Sequence, residues 1–128
     1  VKKILIIDDD EEMCAELSEI LRSEGYEVSF VNDGIEGRDL ALKNIYGLLL
    51  LDLKIPGING FDILKEIKNK KPDLKVMVLS GRPNSKELKE YVGNYNEKEE
   101  NILNMADAFM NKPFDVNVVL ETIKKLIK

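Results

Sequence analysis

Residues 4–10 read Ile-Leu-Ile-Ile-Asp-Asp-Asp, four large aliphatic side chains running straight into three acids. The run is too short for a typical helix and lacks polar alternation, which marks a strand covered on both faces. Taken as 3–8, it is the first of five such runs; the others are 27–31, 47–52, 75–80 and 107–110. Between them the apolar residues take helical spacing: Met13, Leu17, Ile20 and Leu21, then more weakly Leu40, Leu42 and Ile45, then Phe61, Leu64 and Ile67. The last set, Val116, Val119, Leu120, Ile123, Leu126 and Ile127, is the clearest. Gly25, Gly34, Pro56-Gly57, Asn59-Gly60 and Pro72-Asp73 punctuate the series.

Strands that alternate with helices must run parallel, because each return crosses over a face of the sheet and covers it. The expected architecture is therefore α/β: a doubly wound, five-stranded parallel sheet of flavodoxin-like type, with strand order 2-1-3-4-5. In such a sheet ligands sit beyond the carboxyl ends of the strands. Those ends carry Asp8 and Asp9, then Asp52, then Ser80, with Lys112 just past the fifth run; only the second strand contributes nothing. Three carboxylates, a hydroxyl and an ammonium are thus expected in one crevice. Clustered carboxylates repel one another unless a cation joins them, so the acids that end the first strand imply a divalent metal. Mg2+ suits the set better than Ca2+, since it takes one or two carboxylates, keeps waters and completes its shell with phosphate oxygen. Asp52 is then either a third ligand or a nucleophile, while Lys112 and Ser80 can neutralise and hydrogen-bond phosphoryl oxygens. Each residue alone has an ordinary structural reading: Asp10, Glu11 and Glu12 as a helix start, Ser80 as a cap, Lys112 as a solvated lysine. The joint placement carries the argument.

Composition narrows the chemistry. A chain of 128 residues with 44% hydrophobic residues suits one domain over 1–128. Its 24 acids against 19 bases, net charge -5, argue against direct binding to a nucleic-acid backbone by this domain. Cys14 is the single cysteine, so no internal disulfide forms; with no signal peptide or membrane span in the sequence, a cytoplasmic protein is expected. Histidine is absent, which excludes His-based acid–base catalysis, a Ser-His or Cys-His nucleophile and the common zinc sites.

The sequence resembles the receiver domain of bacterial two-component response regulators. Four pieces carry the likeness, in order: "ILIIDDD" at 4–10, "LLLLDLKIPGINGFDILKEIK" at 48–68, "VMVLSGR" at 76–82 and "FMNKPFD" at 109–115. The resemblance implies that Asp52 accepts a phosphoryl group from a phosphohistidine on a sensor histidine kinase. It implies that Asp8, Asp9 and Asp52 hold Mg2+, with the backbone carbonyl of Lys54 as a further ligand. Ser80 then corresponds to the switch hydroxyl and Lys112 to the family's lysine. Phe109 takes the place of the aromatic that follows the hydroxyl inward; lacking a phenolic hydroxyl, it would switch by packing. Such a domain is not a conventional enzyme but a phosphoacceptor signalling domain that promotes its own phosphorylation and dephosphorylation. Lys54 and Arg82 stand where long charged side chains could hinder an attacking water. An output domain or downstream protein would read helix 4, strand 5 and helix 5, and the resemblance leaves room for a phosphorylation-dependent dimer.

The chain departs from the pattern in places. Met105 replaces a usual glycine, Gly81 stands where alanine is common, and the stretch from Ser80 to Lys112 is longer by about two to three helical turns. Asn84 with Glu87 can open one helix, Gly93-Asn94 can close it, and Asn96 with Glu99 can open a second, so a lengthened or split fourth helix is expected. Two other readings compete. A haloacid-dehalogenase-like phosphatase also uses an Asp, a later hydroxyl, a Lys and Mg2+, but Glu12 stands where its Thr or Val belongs, and no acidic pair follows Lys112. An interaction module that has lost phosphorylation would have no use for Asp8, Asp9, Asp52, Ser80 and Lys112 together.

Overall fold

Ile4, Leu5, Ile6 and Ile7 are all fully buried, and because successive side chains of a strand point to opposite faces, this one run feeds two apolar layers. Leu5 and Ile7 join Leu49, Leu51, Val76 and Val78 on one face. Ile4 and Ile6 join Leu48, Leu50, Met77 and Leu79 on the other. The computed structural model describes residues 2–80, the side chain of Ser80 excepted, and 97–127. Its strands are β1 (Lys3–Ile7), β2 (Glu27–Val31), β3 (Leu48–Asp52), β4 (Lys75–Ser80) and β5 (Ala108–Asn111). The helices among the described residues are α1 (Glu11–Ser23), α2 (Gly34–Lys43), α3 (Gly60–Lys70), α4 (Glu97–Leu103) and α5 (Val116–Leu126). All paired strands run parallel, in the order β2-β1-β3-β4-β5, which is the doubly wound topology expected from the alternation.

Each helix starts and packs for local reasons. Asp10, Asp33, Asn59 and Asp115 cap α1, α2, α3 and α5, each side chain accepting a backbone N–H of the first turn. Cys14, Leu17 and Leu21 of α1 and Val119 and Ile123 of α5 cover one face of the sheet. Ala41 of α2, Ile63, Leu64 and Ile67 of α3 and Ile102 of α4 cover the other. Gly25 ends the turn after α1 at φ +97°, a conformation glycine alone adopts freely.

The second helix differs from expectation. Ile45 lies outside α2 and is 87% exposed; of the expected residues Leu40 packs half-buried against the core, but the fully buried positions are Gly34, Gly37 and Ala41. The reason is distance: a Cβ on Gly37 would stand 2.7 Å from Ile7 Cδ1, so this helix approaches the sheet through small residues. Strand limits move by one residue at most: β1 ends at Ile7, β3 starts at Leu48, and β5 starts at Ala108 and ends at Asn111. Asp107 is instead a clamp at the sheet's opposite edge. Its Oδ2 accepts from Val76 N at 2.8 Å and from Lys68 Nζ at 3.0 Å, and its own N–H donates to Val76 O. In the long segment before β5, α4 covers Glu97–Leu103, within the stretch where a second helix was expected, and the expected opening at Asn96 lies outside the described residues. The expected first helix, from Asn84 with Glu87 to Gly93-Asn94, lies outside the described residues, as do Gly81 and Arg82.

Candidate metal centre

Strand register brings the acids together. Ile6 pairs with Leu50 and Ile7 with Leu51, so Asp8, one residue past β1, is level with Asp52 at the end of β3. Both continue the parity of Ile4, Ile6, Leu48 and Leu50, and so stand on the face covered by α1 and α5. Lys112 follows β5 in the parity of Ala108 and Met110, which pack on that same face. Its Nζ donates to Asp8 Oδ2 at 2.5 Å and lies 3.6 Å from Asp52 Oδ2. The Lys112–Pro113 peptide is cis. Asp8, Asp9 and Asp52 each offer one carboxylate oxygen, all three within 4.8 Å of one another.

The surroundings sharpen the electrostatics. Asp8 is wholly buried, Asp52 nearly so, and Asp9 exposed. Burial pushes the Asp8 carboxyl above its ordinary value and the charge of Asp52 pushes the same way; the bonds from Lys112 and from Asp10 N–H only partly offset this. Burial alone would lower the Lys112 pKa, but its hydrogen bond to Asp8 and the negative charges of Asp52 and Asp8 outweigh it, so the ammonium is held more firmly than usual. Among the described residues the Lys112 ammonium thus lies against two of the three carboxylates, Asp8 and Asp52. Around an octahedral Mg2+ neighbouring oxygens stand about 3.0 Å apart and opposite ones about 4.2 Å, so three oxygens within 4.8 Å of one another would draw in by up to about 2 Å to share such an ion, a shift within reach of carboxylate side chains at a pocket rim.

The remaining expected residues are placed as follows. Lys54 N–H donates to Asp52 Oδ1 at 2.9 Å, which keeps the start of the loop after β3 folded back on the acid. That loop is held tightly, because a Cβ on Gly60 would stand 2.5 Å from Leu53 O. The backbone of Ser80 ends β4 opposite Asn111, at the same edge of the sheet, while its side chain lies outside the described residues. Phe109 pairs with Val78 in the sheet and is 43% exposed. The second strand does contribute. Asn32, directly after β2, donates from Nδ2 to Asp8 O at 2.8 Å, and the Cys14 thiol reaches the same carbonyl at 3.5 Å. Register could have revealed Asn32, because Val31 pairs with Ile7 and the next residue must be level with Asp8.

Comparison with known proteins agrees with this geometry. A family model described as response regulator receiver domain matches residues 4–124. Sporulation initiation phosphotransferase F of Bacillus subtilis is 30% identical over 98% of this chain and 94% of its own length. The cell cycle transcriptional regulator CtrA of Caulobacter vibrioides is 31% identical over 98% of this chain but 50% of its own length. The chain spans about half the length of most of the curated relatives it matches. Among solved structures, the response regulator TrrA of Thermotoga maritima in complex with Mg(2+)-BeF is 30% identical, with a TM-score of 0.81 over 98% of this chain and 99% of that one. A complex of the histidine kinase ThkA with TrrA matches at 29% identity and a TM-score of 0.80, covering 100% of both chains.

Proposed function

Because the chain belongs to the response regulator receiver domain family, we propose that Asp52 accepts a phosphoryl group from a sensor histidine kinase and that the new charge switches a surface read by an output partner. The observation that carries this reading is the convergence of Asp8, Asp9 and Asp52 within 4.8 Å, with the Lys112 ammonium bridging two of them. Asp8, Asp9, Asp52 and the Lys54 carbonyl would hold Mg2+. Bound there, the ion supplies the positive charge that offsets carboxylate repulsion and aligns phosphoryl oxygens.

A carboxylate oxygen of Asp52 forms the new P–O bond while the P–N bond to the donor imidazole breaks, its electron pair leaving with the ring nitrogen. Residues 1–128 contain no histidine, so the phosphohistidine donor lies outside them; the complex of TrrA with the kinase ThkA supports a sensor kinase as that partner. Lys112 follows the developing charge, shifting from Asp52 toward a phosphoryl oxygen. Ser80 donates to another, and Phe109 packs inward as the hydroxyl moves. The domain promotes its own phosphorylation and dephosphorylation, with Lys54 and Arg82 restricting water. Residues 1–128 act as one receiver domain in the cytoplasm, and α4, β5 and α5 form the face presented to an output domain or protein. The net charge of -5 argues against nucleic acid as a direct ligand of this domain, and none of the described helices is long and apolar enough to cross a membrane.

Incubation with acetyl phosphate and Mg2+, followed by intact mass measurement, tests the assignment. The parent should gain one phosphoryl group that is lost in mild base, and Asp52→Asn should gain none. An adduct of equal yield in Asp52→Asn would overturn it.

A further inference from the structure

The polar atoms of Asp8 are engaged one by one. Its N–H donates to Val31 O at 3.2 Å, its carbonyl accepts from Asn32 Nδ2 at 2.8 Å, its Oδ1 accepts from Asp10 N–H at 2.9 Å and its Oδ2 from Lys112. Two consecutive residues at the end of β2 thus grip the peptide units on either side of Asp8. We propose that Asn32 is a positioning residue for the metal centre: its side-chain amide fixes the Asp8–Asp9 peptide plane, and with it the direction in which Asp9 presents its carboxylate.

The peptide oxygen that Asn32 holds belongs to the same rigid plane as the Asp9 N–H and is bonded to the Asp9 Cα through that plane, so fixing the oxygen fixes where the Asp9 side chain begins. Asp9 is exposed, whereas Asp8 is buried and held through its carboxylate. The orientation of Asp9 therefore depends on the backbone that carries it. The Cys14 thiol is a weak donor at 3.5 Å and a poor substitute for an amide at 2.8 Å. Asn32 also lies within 3.9 Å of Cys14 Sγ, which ties the end of β2 to α1 behind the acids. Outer partners that orient metal ligands typically change affinity by about ten- to a hundredfold when lost, and Asn32 would act in the same way through the backbone that carries two of them. The inference rests on the metal-binding reading above and extends it to a strand that supplies no ligand.

The test uses Mn2+ as the probe, with free ion followed by electron paramagnetic resonance, in the parent and in Asn32→Ala, Asn32→Leu, Asp9→Ala and Lys68→Met. Asn32→Leu keeps the volume without the donor, and Lys68→Met loosens the clamp at the far edge of the sheet. Both Asn32 variants are expected to bind Mn2+ about tenfold more weakly than the parent, while Lys68→Met keeps parental affinity despite a lower melting temperature. A loss below about threefold in either Asn32 variant overturns the role of Asn32. An equal loss in Lys68→Met also overturns it, since affinity would then track global stability. If the parent fails to bind, or Asp9→Ala binds as the parent does, the metal reading itself falls and takes the role of Asn32 with it.

Discussion

Cys14 shows how strongly the site imposes itself on neighbouring residues. It is fully buried, and burial, reinforced by the charge of Asp8, pushes its thiol up from 9.0 to about 12. A group whose pKa is raised on folding contributes stability that is intact below its unfolded value and is lost as pH rises toward the folded one. Metal-free protein should therefore weaken above pH 9, at up to about 1.4 kcal/mol per pH unit. Lys112, also raised, adds a loss in the same direction at higher pH. Urea midpoints taken from pH 7 to 10.5 check this: Cys14→Ala should be weaker at pH 7 by about 1–2 kcal/mol yet decline less steeply. A parallel decline in both proteins would contradict it. At this scale the sequence was eloquent about residue types and silent about second partners. Asp8, Asp9, Asp52 and Lys112 could be found because acids and a lysine at strand ends are chemically conspicuous. Asn32 was overlooked because an asparagine after a strand reads equally well as a turn, and only register reveals what it faces.

Elements were legible where their apolar residues are large. The five strands and the faces of α1, α3 and α5 follow directly from runs and spacing, with strand limits moved by one residue at most. Of the face of α2 only Leu40 could be read that way, since Gly34, Gly37 and Ala41 carry almost no hydrophobic signal and are buried because they are small. Gly37→Ala tests that explanation. Its Cβ would meet Cδ1, Cγ1 and Cγ2 of Ile7, all closer than 3 Å, and Ile7 is β-branched, fully buried and unable to yield easily. Overpacking should outweigh the gain in helix propensity and cost about 1–2 kcal/mol by chemical denaturation. Combining it with Ile7→Ala, which removes all three obstructing atoms, should cost less than the two single changes summed; simple additivity of the two would refute the contact.

For the whole molecule, the acid cluster sets function against stability. Three carboxylates gather within 4.8 Å and Lys112 pairs with two of them, so without metal the fold bears repulsion among them. Asp52→Asn should raise the melting temperature in chelator by about 3–5 °C, corresponding to about 1 kcal/mol. Mg2+ should raise that of the parent and raise that of Asp52→Asn less, because an ion that binds only the native state stabilises in proportion to its affinity. Equal shifts in the two proteins would place the ion elsewhere. These forces act on the most protected part of the architecture. β1 is hydrogen-bonded on both edges, by β2 and by β3, and layered on both faces. Amide protons of Ile4–Ile7 should accordingly be the slowest to exchange into deuterium, with those of the outer strand β5 relaxing far sooner. The buried Asp8 follows a strand with a neighbour on either side, whereas Lys112 follows β5, which has one neighbour, so the cation that answers the acid hangs on the strand with fewer ties.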